Sequence, residues 1–106
     1  METKRTFIPG HVKIGHFSWT VKGVESFDSD GTWGECDHEA LEIRIKESLP
    51  EPHLTATFVH ELMHAMLAHC GIMEHDEQHI NALSIRLVEV LRDNPDVVRA
   101  IVNDHI

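Results

Sequence analysis

Residues 57–65 read Thr-Phe-Val-His-Glu-Leu-Met-His-Ala and decide the fold of this chain. From Leu54 to Cys70 the sequence contains neither Gly nor Pro, and apolar side chains recur there at helical spacing. The stretch therefore predicts a helix that carries the pattern His-Glu-x-x-His. Because residues four apart lie on one face of a helix, His60 and His64 can direct two imidazole nitrogens towards one ion.

The predicted helix has clear ends and two distinct faces. Pro50 and Pro52 mark its start, because Pro is tolerated in a first helical turn, and Gly71 supplies a stop. The apolar face consists of Leu54, Phe58, Leu62 and Met66. A second face consists of Thr57, His60, Glu61, His64 and Ala68. The polar atoms of the pattern are thus gathered on one side.

Glu61 follows His60 and is turned from it by about 100° around the helix axis. This offset keeps its carboxylate off the ion but within reach of a water molecule bound there, so Glu61 is the candidate general base. Zinc suits the pattern because it accepts neutral imidazole and is satisfied by three protein ligands and water. The alternative is an exposed His/Glu face or a pair of hydrogen-bonded histidines, since ten histidines make a chance match easier.

A second helix is predicted from about Asp76 to Arg92, and Asn94-Pro95 ends it. Its predicted apolar stripe consists of Ile80, Leu83, Ser84, Leu87, Val88 and Leu91. A short final helix follows through Val97 to Val102. The turn from Gly71 to Glu74 is so short that the two longer helices must pack against each other.

Glu77 extends this stripe by one turn and is the candidate third ligand. A carboxylate on a buried stripe is costly unless a positive charge compensates it, and a metal ion would do so. Asp76, Glu74, His75 and His79 are the alternatives, because zinc accepts both carboxylate and imidazole. An acidic residue in a first helical turn also has a simpler explanation, its favourable interaction with the helix dipole.

The first half of the chain predicts strands. A short extended strand is predicted at residues 12–14. Apolar and polar side chains alternate at residues 17–21 and 40–46, which predicts two further strands. Leu41, Ile43 and Ile45 lie on one face of the last of these. Residues 25–34 form a loop, and residues 36–39 form a tight turn from which Asp37 or His38 could approach the metal. The predicted fold is α+β, with a small antiparallel or mixed sheet of three to four strands packed on the two helices.

The chain has 106 residues and is predicted to form a single domain over 1–106. Nine basic residues oppose eighteen acidic ones, a formal charge of −9, and this balance argues against nucleic acid and anionic membranes as partners. No stretch resembles a signal peptide or a membrane span. Cys36 and Cys70 lack metal-type spacing, and the alternative to free thiols is one disulfide between them. Because a small chain that relies on disulfides usually carries more cysteines, we expect reduced thiols and a cytoplasmic protein.

The order of these motifs resembles the minimal zincins. The strand Leu-Glu-Ile-Arg-Ile at 41–45 precedes Thr57-x-x-His60-Glu61-Leu62-x-His64-Ala65, and Glu77-x-x-Ile80-Asn81-Ala82-Leu83 follows. The same order is found in small phage-encoded metallopeptidase-like proteins and in the ImmA/IrrE-type proteases of mobile elements. The resemblance covers about residues 11–95. It implies that Glu77 is the third zinc ligand and that Asn81 matches a recurrent Asn of the family.

The sequence therefore predicts a zinc-dependent metallopeptidase-like protein that acts on a peptide or protein substrate. Zinc would be held by His60, His64 and Glu77, and Glu61 would accept the proton of the attacking water. The strand over 41–46 is predicted to accept an extended substrate along its edge. Two alternatives are a small protein in which zinc is only structural and an acidic protein-binding module without metal.

Overall fold

A computed structural model describes residues 9–103, in which a four-stranded sheet is followed by three helices. The strands are β1 (His11–Ile14), β2 (Phe17–Val24), β3 (Gly34–Asp37) and β4 (Glu42–Lys46). The helices are α1 (Glu51–His69), α2 (Glu77–Asp93) and α3 (Pro95–Asn103). The predicted α+β class is confirmed. Residues 1–8 and 104–106 of the predicted single domain lie outside the described part.

The sheet is mixed, with the spatial order β1-β2-β4-β3. The turn at Gly15 and His16 joins β1 to β2 as an antiparallel pair. β2 and β4 run parallel, with Val21 opposite Ile43, while β3 pairs antiparallel with β4. This order places β4 in the interior of the sheet and β3 at an edge.

Three predictions for this region are wrong. A tight turn was expected at residues 36–39, but Cys36 and Asp37 belong to β3 and the turn lies at residues 38–41. Leu41 does not belong to β4, because its φ of 55° breaks the extended conformation and β4 begins only at Glu42. Because β3 covers one side of β4 and β2 the other, the strand over 41–46 cannot receive a substrate along its edge.

The core lies between one face of the sheet and α1. It consists of Trp19, Val21, Ile43, Ile45, Leu49, Leu54, Phe58, Val59 and Ala65. The alternation of strand side chains sends every second residue of β2 and β4 towards the helix, and the helical period returns Leu54 and Phe58 to the same side. α1 is thereby held against β4 and the edge strand β3, with its His-Glu face turned towards β3 and α2.

α2 packs on α1 along one narrow line, and the predicted apolar stripe of α2 is largely exposed. Ile80 and Ser84 are buried, and Val88 is half-buried. Leu83, Leu87 and Leu91 are 37–55 % exposed, because each lies one position before the contact line and is therefore turned away from α1. Among the described residues, no helix combines the length and apolar character that a bilayer crossing requires.

Candidate metal centre

The first two candidate ligands come from the middle of α1. Pro52 occupies the first turn of this helix, and Gly71, at a φ of 85°, follows its end in a conformation that favours glycine. The unbroken helix between them places His60 and His64 one turn apart, with ring centroids separated by 5.0 Å. Both rings border the cleft between α1, β3 and α2.

Glu77 reaches the same point from the first residue of α2. The carboxylate of Asp76 accepts hydrogen bonds from the backbone N–H groups of Gln78 and His79 and so caps the helix. Glu77 Oε1 lies 3.1 Å from His60 Nε2, and Glu77 Oε2 lies 2.8 Å from His64 Nε2. The side chain of Glu77 is 68 % exposed, so its expected position on a buried stripe is wrong, although its proximity to both histidines agrees with the proposed role.

The three residues offer donor atoms that all lie within 4.8 Å of one another. In a tetrahedral zinc site with bonds of about 2.0–2.1 Å, ligand atoms are separated by roughly 3.3 Å. Each oxygen of the Glu77 carboxylate lies near that distance from the Nε2 atom of one of the two histidines. Two imidazole nitrogens and a carboxylate are also a donor set that zinc accepts in catalytic sites. The residues present therefore fit a zinc ion.

The other candidate ligands lie elsewhere. Asp76 is engaged as the helix cap, and His79, 78 % exposed, faces Asp76 at 3.5 Å. Glu74 is exposed, and it does not belong to the donor group found among residues 9–103. His75 contacts His64 through Nδ1, on the side of the ring away from Glu77.

Glu61 lies beside the donor group without joining it, as its offset on the helix predicts. The residue is only 8 % exposed. Burial, together with the nearby carboxylates of Glu77 and Glu35, raises the pKa of the Glu61 carboxyl to about 7. A carboxyl group with a pKa near neutrality is well suited to accept and return a proton.

The electrostatics of His64 favour a neutral ring. Burial holds the pKa of this imidazole below its usual range, although the Glu77 carboxylate opposes the effect. A neutral imidazole presents a lone pair on one nitrogen, which is the form that binds a metal. Two carboxylate oxygens and two imidazole nitrogens thus converge on a region where a cation would relieve their mutual repulsion.

The cleft around these residues has a volume of about 770 Å³. One wall is formed by residues 31–36, which include β3, and the facing walls come from α1 and the start of α2. Trp33, which is 44 % exposed, meets the ring of His53 at 5.0 Å. Asn81 also lines the cleft. The site is therefore open and borders an edge strand.

The turn between β3 and β4 is braced on several sides. The carboxylate of Asp37 accepts hydrogen bonds from the backbone N–H groups of Glu39 and Ala40 and forms an ion pair with Arg44 at 3.1 Å. Those backbone N–H groups and Arg44 hold the pKa of Asp37 below its usual range. The turn places His38 on the cleft wall, edge-on to Trp19, while Asp37 points to Arg44.

Comparison of the chain with known protein families, with curated proteins and with solved structures finds no match in any of the three. The assignment of this site therefore depends on its own geometry and on the motif resemblance described above.

Two features of the site have no signal in the sequence. One is the contact between His64 and His75, which lie eleven positions apart. The other is the close approach of Gly34 to α1, where an added Cβ would lie 2.7 Å from Thr57 Cγ2 and 3.2 Å from Glu61 Cγ. No local pattern in the sequence predicts either contact, because both depend on how separate elements pack.

Proposed function

We propose that this protein is a zinc-dependent metallopeptidase-like enzyme of the minimal zincin type. The observation that carries the proposal is the convergence of His60, His64 and Glu77, whose donor atoms lie within 4.8 Å of one another. A buried carboxyl group, Glu61, stands beside them in an open cleft. Three ligands from the protein leave a position for water, as in catalytic zinc sites.

The chain's own residues have separable roles in the proposed reaction. When bound, zinc would supply Lewis acidity to a water molecule and to a peptide carbonyl. Glu61 accepts a proton from the attacking water and returns it to the amine that leaves. His60, His64 and Glu77 would hold the ion beside Glu61. The proton taken up by Glu61 is thus transferred to the product.

The proposed substrate is an extended peptide. β3 is an edge strand, and an edge offers unpaired backbone N–H and C=O groups to an added strand. Residues 31–36 line the same cleft as His60 and Glu61, so a peptide bound along this edge would pass the candidate site. This edge replaces the interior strand that the sequence suggested.

The open position of the site favours catalysis over a purely structural metal. Structural zinc sites are closed by four protein ligands, whereas three are brought together here and one of them, Glu77, is 68 % exposed. A cytoplasmic setting, with no nucleic-acid or membrane partner, belongs to the same proposal. It is supported by the acidic balance and by the unpaired state of Cys36 and Cys70.

The proposal is tested by elemental analysis together with a peptide-library cleavage assay. The native protein and His79→Ala should each contain one zinc per chain and cleave peptides, while His60→Ala should lose both properties. Glu61→Gln should keep zinc but lose cleavage by a factor of about 10²–10⁴, the usual contribution of a general base. Zinc without cleavage in the native protein would indicate a structural metal, and absence of zinc would favour a binding module.

A further inference from the structure

His75 connects one candidate ligand to the backbone of the preceding turn. Its Nδ1 lies 2.5 Å from Nδ1 of His64, and its Nε2 lies 2.6 Å from the carbonyl oxygen of Ile72. His75 is half-buried and lies in the connection between α1 and α2. The side chain therefore bridges the metal site and a fixed point of the main chain.

The two imidazole rings meet edge to edge. Their planes differ by 21°, and their centroids are 4.7 Å apart. With only 2.5 Å between the two nitrogens, this centroid distance is that of nearly coplanar rings joined in line, and a face-to-face stack does not fit it. An in-line arrangement is the one in which an N–H group points at the lone pair of the other ring.

The direction of this hydrogen bond follows from the carbonyl group at its far end. A carbonyl oxygen only accepts, so the proton near Ile72 must be on Nε2 of His75. In neutral His75 the other nitrogen, Nδ1, is then an acceptor. Nδ1 of His64 must donate to it, and in the neutral ring that binds a metal the remaining nitrogen, Nε2 of His64, then presents its lone pair to the ion. That atom is the one that faces Glu77.

We propose that His75 is a positioning residue that sets the tautomer and ring orientation of His64 for metal binding. The inference depends on the proposed metal site. Histidine ligands in metal sites regularly donate their second N–H to a fixed acceptor, and loss of that acceptor typically weakens metal binding 10- to 100-fold. Here the acceptor is an imidazole that is itself held by a backbone carbonyl.

His75 does not suit a role as a further ligand of the same ion. Two ligand atoms of a tetrahedral zinc lie roughly 3.3 Å apart, whereas the two Nδ1 atoms are 2.5 Å apart. His64 also turns Nδ1 to His75 and Nε2 to Glu77, so the two contacts use opposite sides of its ring. The geometry therefore separates the residue that orients from the residues that would bind.

The first experiment is a competition titration of zinc with a chelator of known affinity. His75→Leu removes the acceptor and should bind zinc 10- to 100-fold more weakly than the native protein. His75→Asn offers an amide oxygen in place of Nδ1 and should recover most of the affinity. His79→Ala, an exposed histidine of the same region, should bind like the native protein. Circular dichroism of each variant checks that it remains folded.

A second measurement needs no metal. Long-range ¹H–¹⁵N NMR spectra of the metal-free native protein, recorded at mildly alkaline pH, distinguish protonated from bare ring nitrogens. We expect the proton on Nδ1 of His64 and on Nε2 of His75. His75→Leu should lose this preference at His64, whereas His79→Ala should keep it.

The outcomes separate the two proposals. If the native protein binds no zinc, the metal site fails and the role of His75 fails with it. If the native protein binds zinc and His75→Leu binds it equally well, only the role of His75 is overturned. A bare Nδ1 of His64 in the native protein would overturn it as well.

Discussion

At the scale of single residues, the site depends on a carboxyl group kept in an unfavourable environment. Glu61 is 8 % exposed and has two other carboxylates nearby, so its charged form is disfavoured in the folded protein. The same burial that makes it a suitable proton acceptor also destabilises the metal-free fold. The side chain that we propose as the general base is thus retained at a cost in stability.

This cost predicts a pH dependence for the metal-free protein. The pKa of Glu61 is raised from 4.5 to about 7 on folding, so the folded state binds the proton more tightly than the unfolded state. The contribution of Glu61 to stability should therefore fall as pH rises from about 4.5 to about 7. Glu61→Gln should raise the free energy of unfolding at about pH 8 and change it much less at about pH 4, measured with urea.

An exposed residue of the same helix provides the control for this pH effect. Glu51→Gln should change the free energy of unfolding at about pH 8 much less than Glu61→Gln does, because Glu51 lies exposed in the first turn of α1 and the substitution removes no buried charge. If Glu61→Gln gains no stability at alkaline pH, the buried charge of Glu61 does not lower the free energy of unfolding as predicted.

The two thiols should differ in reactivity. Burial, with added repulsion from Glu61 and Asp37, raises the pKa of Cys36 to about 12, so its nucleophilic thiolate is scarce at neutral pH. Cys70 is exposed at the end of α1. Alkylation with iodoacetamide followed by mass spectrometry should therefore modify Cys70 first. Both thiols should react in urea, and equal rates in the folded protein would refute the difference.

At the scale of elements, the site depends on how closely β3 approaches α1. Gly34 leaves no room for a side chain, because an added Cβ would lie 2.7 Å from Thr57 Cγ2. This approach brings the edge strand alongside Glu61 and forms one wall of the cleft. Helix and strand are thereby coupled through a single small residue.

Gly34→Ala should consequently separate β3 from α1. Overpacking of this kind costs about 1–3 kcal/mol of unfolding free energy, which urea denaturation measures. Thr57→Ser removes the Cγ2 methyl group, so the double variant Gly34→Ala/Thr57→Ser should recover part of the loss. Equal losses in the single and the double variant would show that the methyl contact is not the cause.

At the scale of the whole molecule, the proposed metal would join α1 to α2. These helices otherwise meet along one line of contact through Ile80 and Ser84, and much of the apolar surface of α2 stays exposed. α3 has no buried residue. An ion bound by residues from both α1 and α2 would therefore contribute to the stability of the fold as well as to its chemistry.

Zinc should accordingly raise the thermal midpoint. Saturation to 100 times Kd stabilises a folded state by about 2.7 kcal/mol, which for a domain of this size corresponds to roughly 10–20 °C. Differential scanning calorimetry with zinc and with a chelator measures the shift. His60→Ala should show none, whereas His79→Ala should respond like the native protein. If zinc does not change the thermal midpoint of the native protein, the ion does not stabilise the fold by joining α1 to α2.

Much of the motif helix and its neighbours follows from the sequence alone. His60 and His64 share a face because helical periodicity acts within one short segment, and the same periodicity keeps Glu61 beside them. Gly71 ends α1 because its own backbone tolerates a positive φ. The alternation in residues 40–46 likewise predicted β4, which the structure has at residues 42–46, and Ile43 and Ile45 are fully buried.

Only the tertiary structure decided the rest. β3 was not predicted, because a four-residue edge strand has too few side chains to show an alternating pattern. Leu41 lies outside the strand predicted for it, because the β3–β4 turn requires a positive φ at this residue. The meeting of Glu77 with His60, like that of His75 with His64, depends on the rotation of α2 against α1. Local sequence determines which face a residue occupies, but contact between two faces is set by packing across the whole chain.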